Sequence, residues 1–279
     1  VSRRITEQKT TIAGIETFLR RTDGPGTPTV FVHGNPTHSA EWIPFMAELE
    51  GPAIALDLPN FGRSERVDPG RFDAGMHAYA AFLAAAFDEL APERFNLVVV
   101  DWGSIALHPA QRRPERVERL VIVDAVPLLA GYRWHWIARI WRRRGLGELF
   151  NALSSRAGLD LLLRLARPGY AAVPSDFVDM IWECWDRATA RAVLRLYRSA
   201  DPGALEAAGA HLGRLRCPAL VAWGDSDPYI GLEFARRYAE RLPNAELLEL
   251  DRAGHWPWLD RPELIGRVCE FLDGSLTTP

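Results

Sequence analysis

Three residues carry the means of nucleophilic catalysis and follow one another along the chain as Asp101, Asp227 and His255. Asp101 ends the apolar run Leu97-Val98-Val99-Val100, and Gly103 opens a helix-compatible stretch. The carboxylate therefore falls at a corner where a buried strand turns into a helix. A free aspartate has a pKa of about 3.9, so at neutral pH it attacks without help from a base. Attack on an acyl carbon gives a high-energy mixed anhydride, whereas attack on a saturated carbon gives an ordinary ester. This nucleophile suits displacement at sp³ carbon, with a halide or an epoxide oxygen leaving. His255, in Ala253-Gly254-His255-Trp256-Pro257, is placed to deprotonate the water that hydrolyses the ester. Asp227, in Trp223-Gly224-Asp225-Ser226-Asp227-Pro228, is placed to orient the imidazole. Ser104 fits less well as the nucleophile, because it puts the bulky Trp102 where a cramped corner needs a small residue.

A departing halide needs N–H donors in a dry pocket rather than an acid. The Trp102 indole and the Asn35 side chain supply two. The backbone N–H groups of the same two residues form a candidate oxyanion hole for ester hydrolysis. Plainer readings stand beside these. Asp101 can cap the following helix, and Asp124 and Asp225 are rivals of Asp227 for the acid. Asn35 can serve to shape its loop, and Trp102 and His255 can serve to pack. His33 and Asp57 read as structural loop residues, and His38, His77, His108, His135 and His211, without ligand spacing, as surface or core residues. Arg142-Arg143-Arg144 reads as a solvated helix face.

The elements that must hold these residues are legible as an alternation. Residues 5–20 suggest a hairpin of edge strands, followed by short apolar strands at 30–32, 53–56, 97–100 and 120–123. Helical spacing occupies about 40–49, 76–90 and 103–113, the last closed by Pro114. The pattern changes after Pro127, where residues 128–212 read as helical and aromatic without a convincing strand. Five of the ten tryptophans (Trp134, Trp136, Trp141, Trp182, Trp185) lie there and read mostly as core, with one of them or Phe177 expected to line a pocket. The strand rhythm resumes at 219–223 and 246–250, with helices near 232–241 and 262–272. Such alternation argues for right-handed βαβ units and a parallel sheet. The expected division is a core of 1–127 and 213–279, with 128–212 as a cap over the carboxyl ends of the strands, where ligands of open α/β sheets bind.

With 279 residues and 48% hydrophobic content, the chain can bury a large core. A net charge of −3 gives no electrostatic case for nucleic acid or an anionic membrane. The sequence shows neither a basic-then-apolar leader nor a run of eighteen apolar residues, so the expectation is a cytoplasmic protein without membrane association. Cys184, Cys217 and Cys269 are scattered, as free thiols in a reducing compartment are. Neither a metal nor an organic cofactor is expected.

The nucleophile–acid–histidine order resembles that of the α/β-hydrolases, along almost the whole chain. Within that superfamily, the Asp101-Trp102-Gly103 elbow together with His33-Gly34-Asn35-Pro36 resembles the haloalkane dehalogenases. The resemblance implies a mostly parallel sheet flanked by helices, with an inserted helical cap. It also implies that Trp102 and Asn35 hold the halide, and that a small apolar halogenated substrate, water and the halide ion are its partners. Epoxide hydrolases share the aspartate, but they carry an aromatic after His-Gly, favour glycine where this chain has Val99, and protonate the oxygen with cap tyrosines. Tyr132, Tyr170 and Tyr197 keep that alternative open, and a non-catalytic ligand-binding relative is a third. One dehalogenase subfamily places its acid where Asp124 stands. Two residues depart from the dehalogenase pattern: Val100, where histidine or glutamine is common, and Pro109, expected to kink the elbow helix at a cost of about 3 kcal/mol.

Overall fold

The computed structural model describes residues 3–274. Eight strands form one sheet: β1 (Thr6–Ile12), β2 (Ile15–Thr22), β3 (Thr29–Val32), β4 (Ala53–Leu56), β5 (Phe95–Asp101), β6 (Val117–Ala125), β7 (Ala219–Gly224) and β8 (Ala245–Leu250). Their spatial order is β1-β2-β4-β3-β5-β6-β7-β8. The β1–β2 hairpin is antiparallel and β2 joins β4 antiparallel, while every pairing from β4 to β8 is parallel. The helices are α1 (Ile43–Glu48), α2 (Met76–Leu90), α3 (Leu107–Ala110), α4 (Trp136–Arg142), α5 (Leu146–Ala152), α6 (Arg156–Leu165), α7 (Ser175–Glu183), α8 (Arg187–Ser199), α9 (Pro202–Ala208), α10 (Leu232–Arg241) and α11 (Glu263–Asp273). Six of them, α4 to α9, fill the chain between β6 and β7. None of the described helices is long and apolar enough to cross a membrane.

The central strands are buried on both faces, which is why they read as unbroken apolar runs rather than alternations. Leu97 and Val99 of β5 join one core with Tyr79, Leu83 and Phe87 of α2. Val98 and Val100 join the other, with Trp42, Phe45 of α1 and Val268 and Phe271 of α11. Val100 thus serves the second core at zero exposure, a packing role for one of the two unusual positions.

The corner after β5 is tighter than a helix start. Asp101 has φ 45° and ψ −121°, a conformation a non-glycine residue holds at a cost of about 1–3 kcal/mol. A 3₁₀ turn over Trp102–Ala106 follows, and only then the single α turn of α3. The continuous helix expected over 103–113 is therefore broken, with a second 3₁₀ turn at Pro114–Arg116. Pro109 explains this without strain. It is the third residue of α3, in the first turn, whose N–H groups have no partner within the helix, so its missing donor costs little. Gly103 is required by proximity: a Cβ there would lie 2.3 Å from the Val32 carbonyl oxygen. Gly103→Ala is expected to lose about 1–3 kcal/mol of stability through overpacking, read by chemical denaturation. Gly70→Ala, where an added Cβ meets nothing within 4 Å, is the control and should change little.

Candidate active site

Parallel strands deliver their carboxyl ends to one rim, and the expected catalytic residues follow four of them. Asn35 comes after β3, Asp101 ends β5, Asp227 follows β7 and His255 follows β8. The imidazole links two carboxylates: Nδ1 lies 2.7 Å from Asp227 Oδ2, and Nε2 lies 3.8 Å from Asp101 Oδ1. Asp227 is itself fixed, its Oδ1 accepting from the backbone N–H groups of Tyr229 (2.7 Å) and Ile230 (3.2 Å). The Asn35 backbone N–H donates to Asp101 Oδ2 at 2.7 Å. The close approach of that loop needs Gly34, since a Cβ there would lie 2.5 Å from Asp101 Cβ. His33 holds the loop from behind, with Nδ1–H donating to Gly34 O and Nε2 accepting from Leu58 N–H. Asp57 accepts from the N–H groups of Ser39 and Arg63, which confirms both residues as loop clamps.

Burial holds the Asp101 carboxyl above its usual pKa, although His255 and the N–H of Asn35 draw it down. For His255 burial favours the neutral ring, but the Asp227 and Asp101 carboxylates outweigh it and raise the pKa above the ordinary value. Asp124 does not reach the imidazole. It accepts from Gly224 N–H at 3.2 and 3.3 Å, and burial together with neighbouring Asp227 pushes its pKa well up. Burial also pushes Glu41, which accepts from Gly34 N–H, up to about 8.

Asp101 and His255 open into a cavity of about 420 Å³ that is apolar over most of its wall. The strand side contributes Asn35, Val126, Tyr229 and Ile230, and the segment between β6 and β7 contributes Tyr132, Trp141, Leu162, Trp182 and Tyr197. Trp102 is buried just behind this wall, its ring stacked on Trp134 (5.3 Å) and edge-on to Tyr197 (5.0 Å). Both Trp102 Nε1 and Asn35 Oδ1 are buried without a partner among the described residues. Tyr197 stands beside them, its ring edge-on to Trp102, and burial pushes its phenol far above the ordinary range. Ser104 is fully buried and its hydroxyl has no partner among the described residues, so it is no rival nucleophile. Among the described residues no group of three or more His, Cys, Asp or Glu side chains is arranged to hold a metal ion.

Several features of the wall differ from expectation. Tyr170 is 68% exposed and plays no part in the cavity. Trp134 is core and Trp136 is exposed, whereas Trp141, Trp182 and Trp185 line the cavity; Phe177 packs on Trp256 instead. Arg142 is not a solvated residue but donates to the carbonyls of Tyr197 and Ala200, which fastens α4 to the end of α8. His135 and Tyr229 are cavity residues that spacing did not reveal. The available signal for Tyr229 was its place two residues after the acid. For His135 it was a place just before a helix in the aromatic segment between β6 and β7.

The division of labour between the two buried aspartates is testable by following the His255 imidazole through a pH titration by NMR. Asp227→Asn removes the largest influence opposing burial, so the His255 pKa should drop. Asp124→Asn should leave it raised. Equal effects from the two substitutions would contradict the geometry.

Residues 29–268 match the model of the alpha/beta hydrolase family. A haloalkane dehalogenase of Mesorhizobium japonicum is 32% identical over 268 residues, covering 88% of this chain and 84% of that protein. A cis-3-alkyl-4-alkyloxetan-2-one decarboxylase of Shewanella oneidensis is 29% identical, covering 91% and 85%. Among solved structures, a haloalkane dehalogenase of Bradyrhizobium elkani superposes with a TM-score of 0.82 at 26% identity, covering 97% and 98%. The elbow, the order of the site residues and these likenesses agree, and the chain belongs to the α/β-hydrolase family.

Proposed function

We propose that this hydrolase cleaves a carbon–halogen bond through an ester on Asp101, giving an alcohol, a halide ion and a proton. The observation that carries the proposal is a buried carboxylate, rather than a hydroxyl, at the strained elbow, facing an imidazole that is itself bonded to an acid. In the first step an Asp101 oxygen attacks the saturated carbon as the halide leaves toward the Asn35 amide, the Trp102 N–H and the Tyr197 O–H. Three neutral donors suit a departing anion in a dry site. In the second step His255 takes a proton from water, and the hydroxide adds to the Asp101 ester carbonyl. The oxyanion is received by the N–H groups of Asn35 and Trp102, and collapse expels the alcohol. Asp227 holds the imidazole and stabilises its cation. The segment 128–212 acts as a cap over a core of 1–127 and 213–279, supplying the apolar wall for a small halogenated substrate.

The electrostatics fit a two-step scheme. Asp101 is one of the groups raising the His255 pKa. Once esterified it carries no charge, so that influence disappears and the ring returns toward its neutral, basic form when it must accept a proton.

A second reading is favoured by Tyr197 and Tyr132, whose phenols burial keeps protonated beside Asp101. The same aspartate would open an epoxide, with Tyr197 protonating the oxygen. The Shewanella oneidensis relative is named for a strained oxygen ring, which lends support. Halide release against diol formation from matched bromoalkanes and epoxides separates the two.

The covalent step is tested with His255→Gln. The first step should proceed and the second should stall, leaving an alkyl group on Asp101 as a mass increase and releasing about one halide per protein. The absence of any adduct with halides and epoxides alike would defeat the proposal. Trp102→Phe should lower turnover of bromoalkanes roughly 10²–10³-fold by deleting one donor. Both steps weaken as pH falls, because Asp101 must be ionised to attack and His255 must be neutral to act as base. The acid limb of alkylation, followed by single-turnover halide release, should lie below that of ester hydrolysis.

A further inference from the structure

We propose that His135 is a specificity-determining residue of the cavity, its Nε2–H receiving an acceptor oxygen on the substrate chain beyond the reacting carbon. Preferred substrates are then halides bearing an ether, hydroxyl or carbonyl oxygen rather than plain alkyl halides. This inference rests on the reading of Asp101 as the nucleophile toward a carbon–halogen bond.

The direction of the donor follows from the helix that His135 precedes. Its Nδ1 accepts from the Ala138 backbone N–H at 3.4 Å, capping the first turn of α4. A neutral imidazole carries one proton, so accepting at Nδ1 puts that proton on Nε2. Burial, with His255 acting in the same direction, lowers the pKa of His135 to about 3, so the ring is a neutral donor at any pH where His255 can serve as a base. Its orientation is fixed by packing. The ring lies on Tyr229 at 4.7 Å and meets the edge of Tyr197 at 6.3 Å. Tyr229 in turn packs on His255 at 5.1 Å. His135 therefore stands in the same chamber as the reacting centre, one aromatic ring removed from the base.

Three of its polar neighbours in the wall are already engaged, and a fourth, the Tyr197 hydroxyl, is the one assigned above to the leaving halide. Asn151 accepts from the Trp141 indole and donates to the Ala190 carbonyl. The Tyr229 hydroxyl donates to Leu162 O and the Tyr132 hydroxyl to Tyr229 O. An N–H left facing an apolar wall disfavours a plain hydrocarbon chain and favours one that brings an acceptor. Asp101, Asn35 and His255 are occupied with the reacting atoms, so the His135 donor acts on a more distant part of the substrate.

The test compares 1-bromohexane with isosteres in which one methylene, at successive positions, is replaced by an ether oxygen. The readout is the ratio of kcat/KM for each ether to that for 1-bromohexane, in the wild type, His135→Asn and His135→Phe. Asparagine is a good N-terminal helix cap but is too short to place a donor where Nε2 stands, so it separates the capping role from the binding role. In the wild type the ratio should peak at one oxygen position. Both variants should lower that peak on the order of tenfold, the worth of one neutral hydrogen bond. A merely structural histidine would slow all substrates together and leave the ratio where it was, which would overturn the inference. Bromide release from every substrate with a flat wild-type profile would also overturn it, leaving the dehalogenation reading intact. No bromide from any substrate would remove that reading and the inference with it.

Discussion

A carboxylate that must stay ionised while almost completely buried is the constraint around which this protein is arranged. Asp101 is 5% exposed, and burial alone pushes it toward its useless protonated form. The opposing contributions come from different strand ends: the Asn35 N–H after β3 and the His255 imidazole after β8. Neither can approach unless the elbow backbone takes its strained turn and Gly34 and Gly103 leave room. The parallel sheet is thus more than a scaffold. It brings to one rim the groups that make a buried anion tolerable, and the same anion is the nucleophile we propose.

Four acids crowd this rim, and the structure treats them differently. Glu41 and Asp124 are buried with backbone donors as their partners, and burial favours the neutral form of both. Both brace the backbone of their loops, Glu41 at Gly34 and Asp124 at Gly224. Asp227 receives two backbone N–H groups and holds the imidazole at 2.7 Å, and Asp101 keeps a longer 3.8 Å separation from Nε2. That gap suits a base that acts through an intervening water rather than by holding the nucleophile. In the scheme we propose, esterification of Asp101 would remove one of the charges that raise the His255 pKa, in the direction the next step needs.

Much of this was legible in the sequence because it depends on local pattern. The apolar runs, the aspartate at the corner, the order of the three site residues and the helical stretch between β6 and β7 follow from periodicity and residue type. The elbow helix was expected as one continuous element, whereas the structure divides it into a 3₁₀ turn and one α turn, with Pro109 third in the latter. The cavity wall was illegible for a different reason. Trp141, Trp182 and Tyr197 become cavity residues through how α4, α7 and α8 pack, and nothing in their spacing separates them from Trp134, which packs inward, or from Tyr170, which faces solvent. His135 shows the same limit, since a residue capping a short helix becomes a wall donor only once the helix is docked.

Isotope labelling in a single turnover addresses the covalent carboxylate most directly. With protein in excess over a bromoalkane in H₂¹⁸O, the account predicts that the alcohol carries ¹⁶O taken from the side chain. Asp101 then gains one ¹⁸O from the water that cleaves the ester, detectable in the peptide containing it. An alcohol carrying ¹⁸O with an unlabelled Asp101 would mean that water attacks the carbon itself, and would contradict the account.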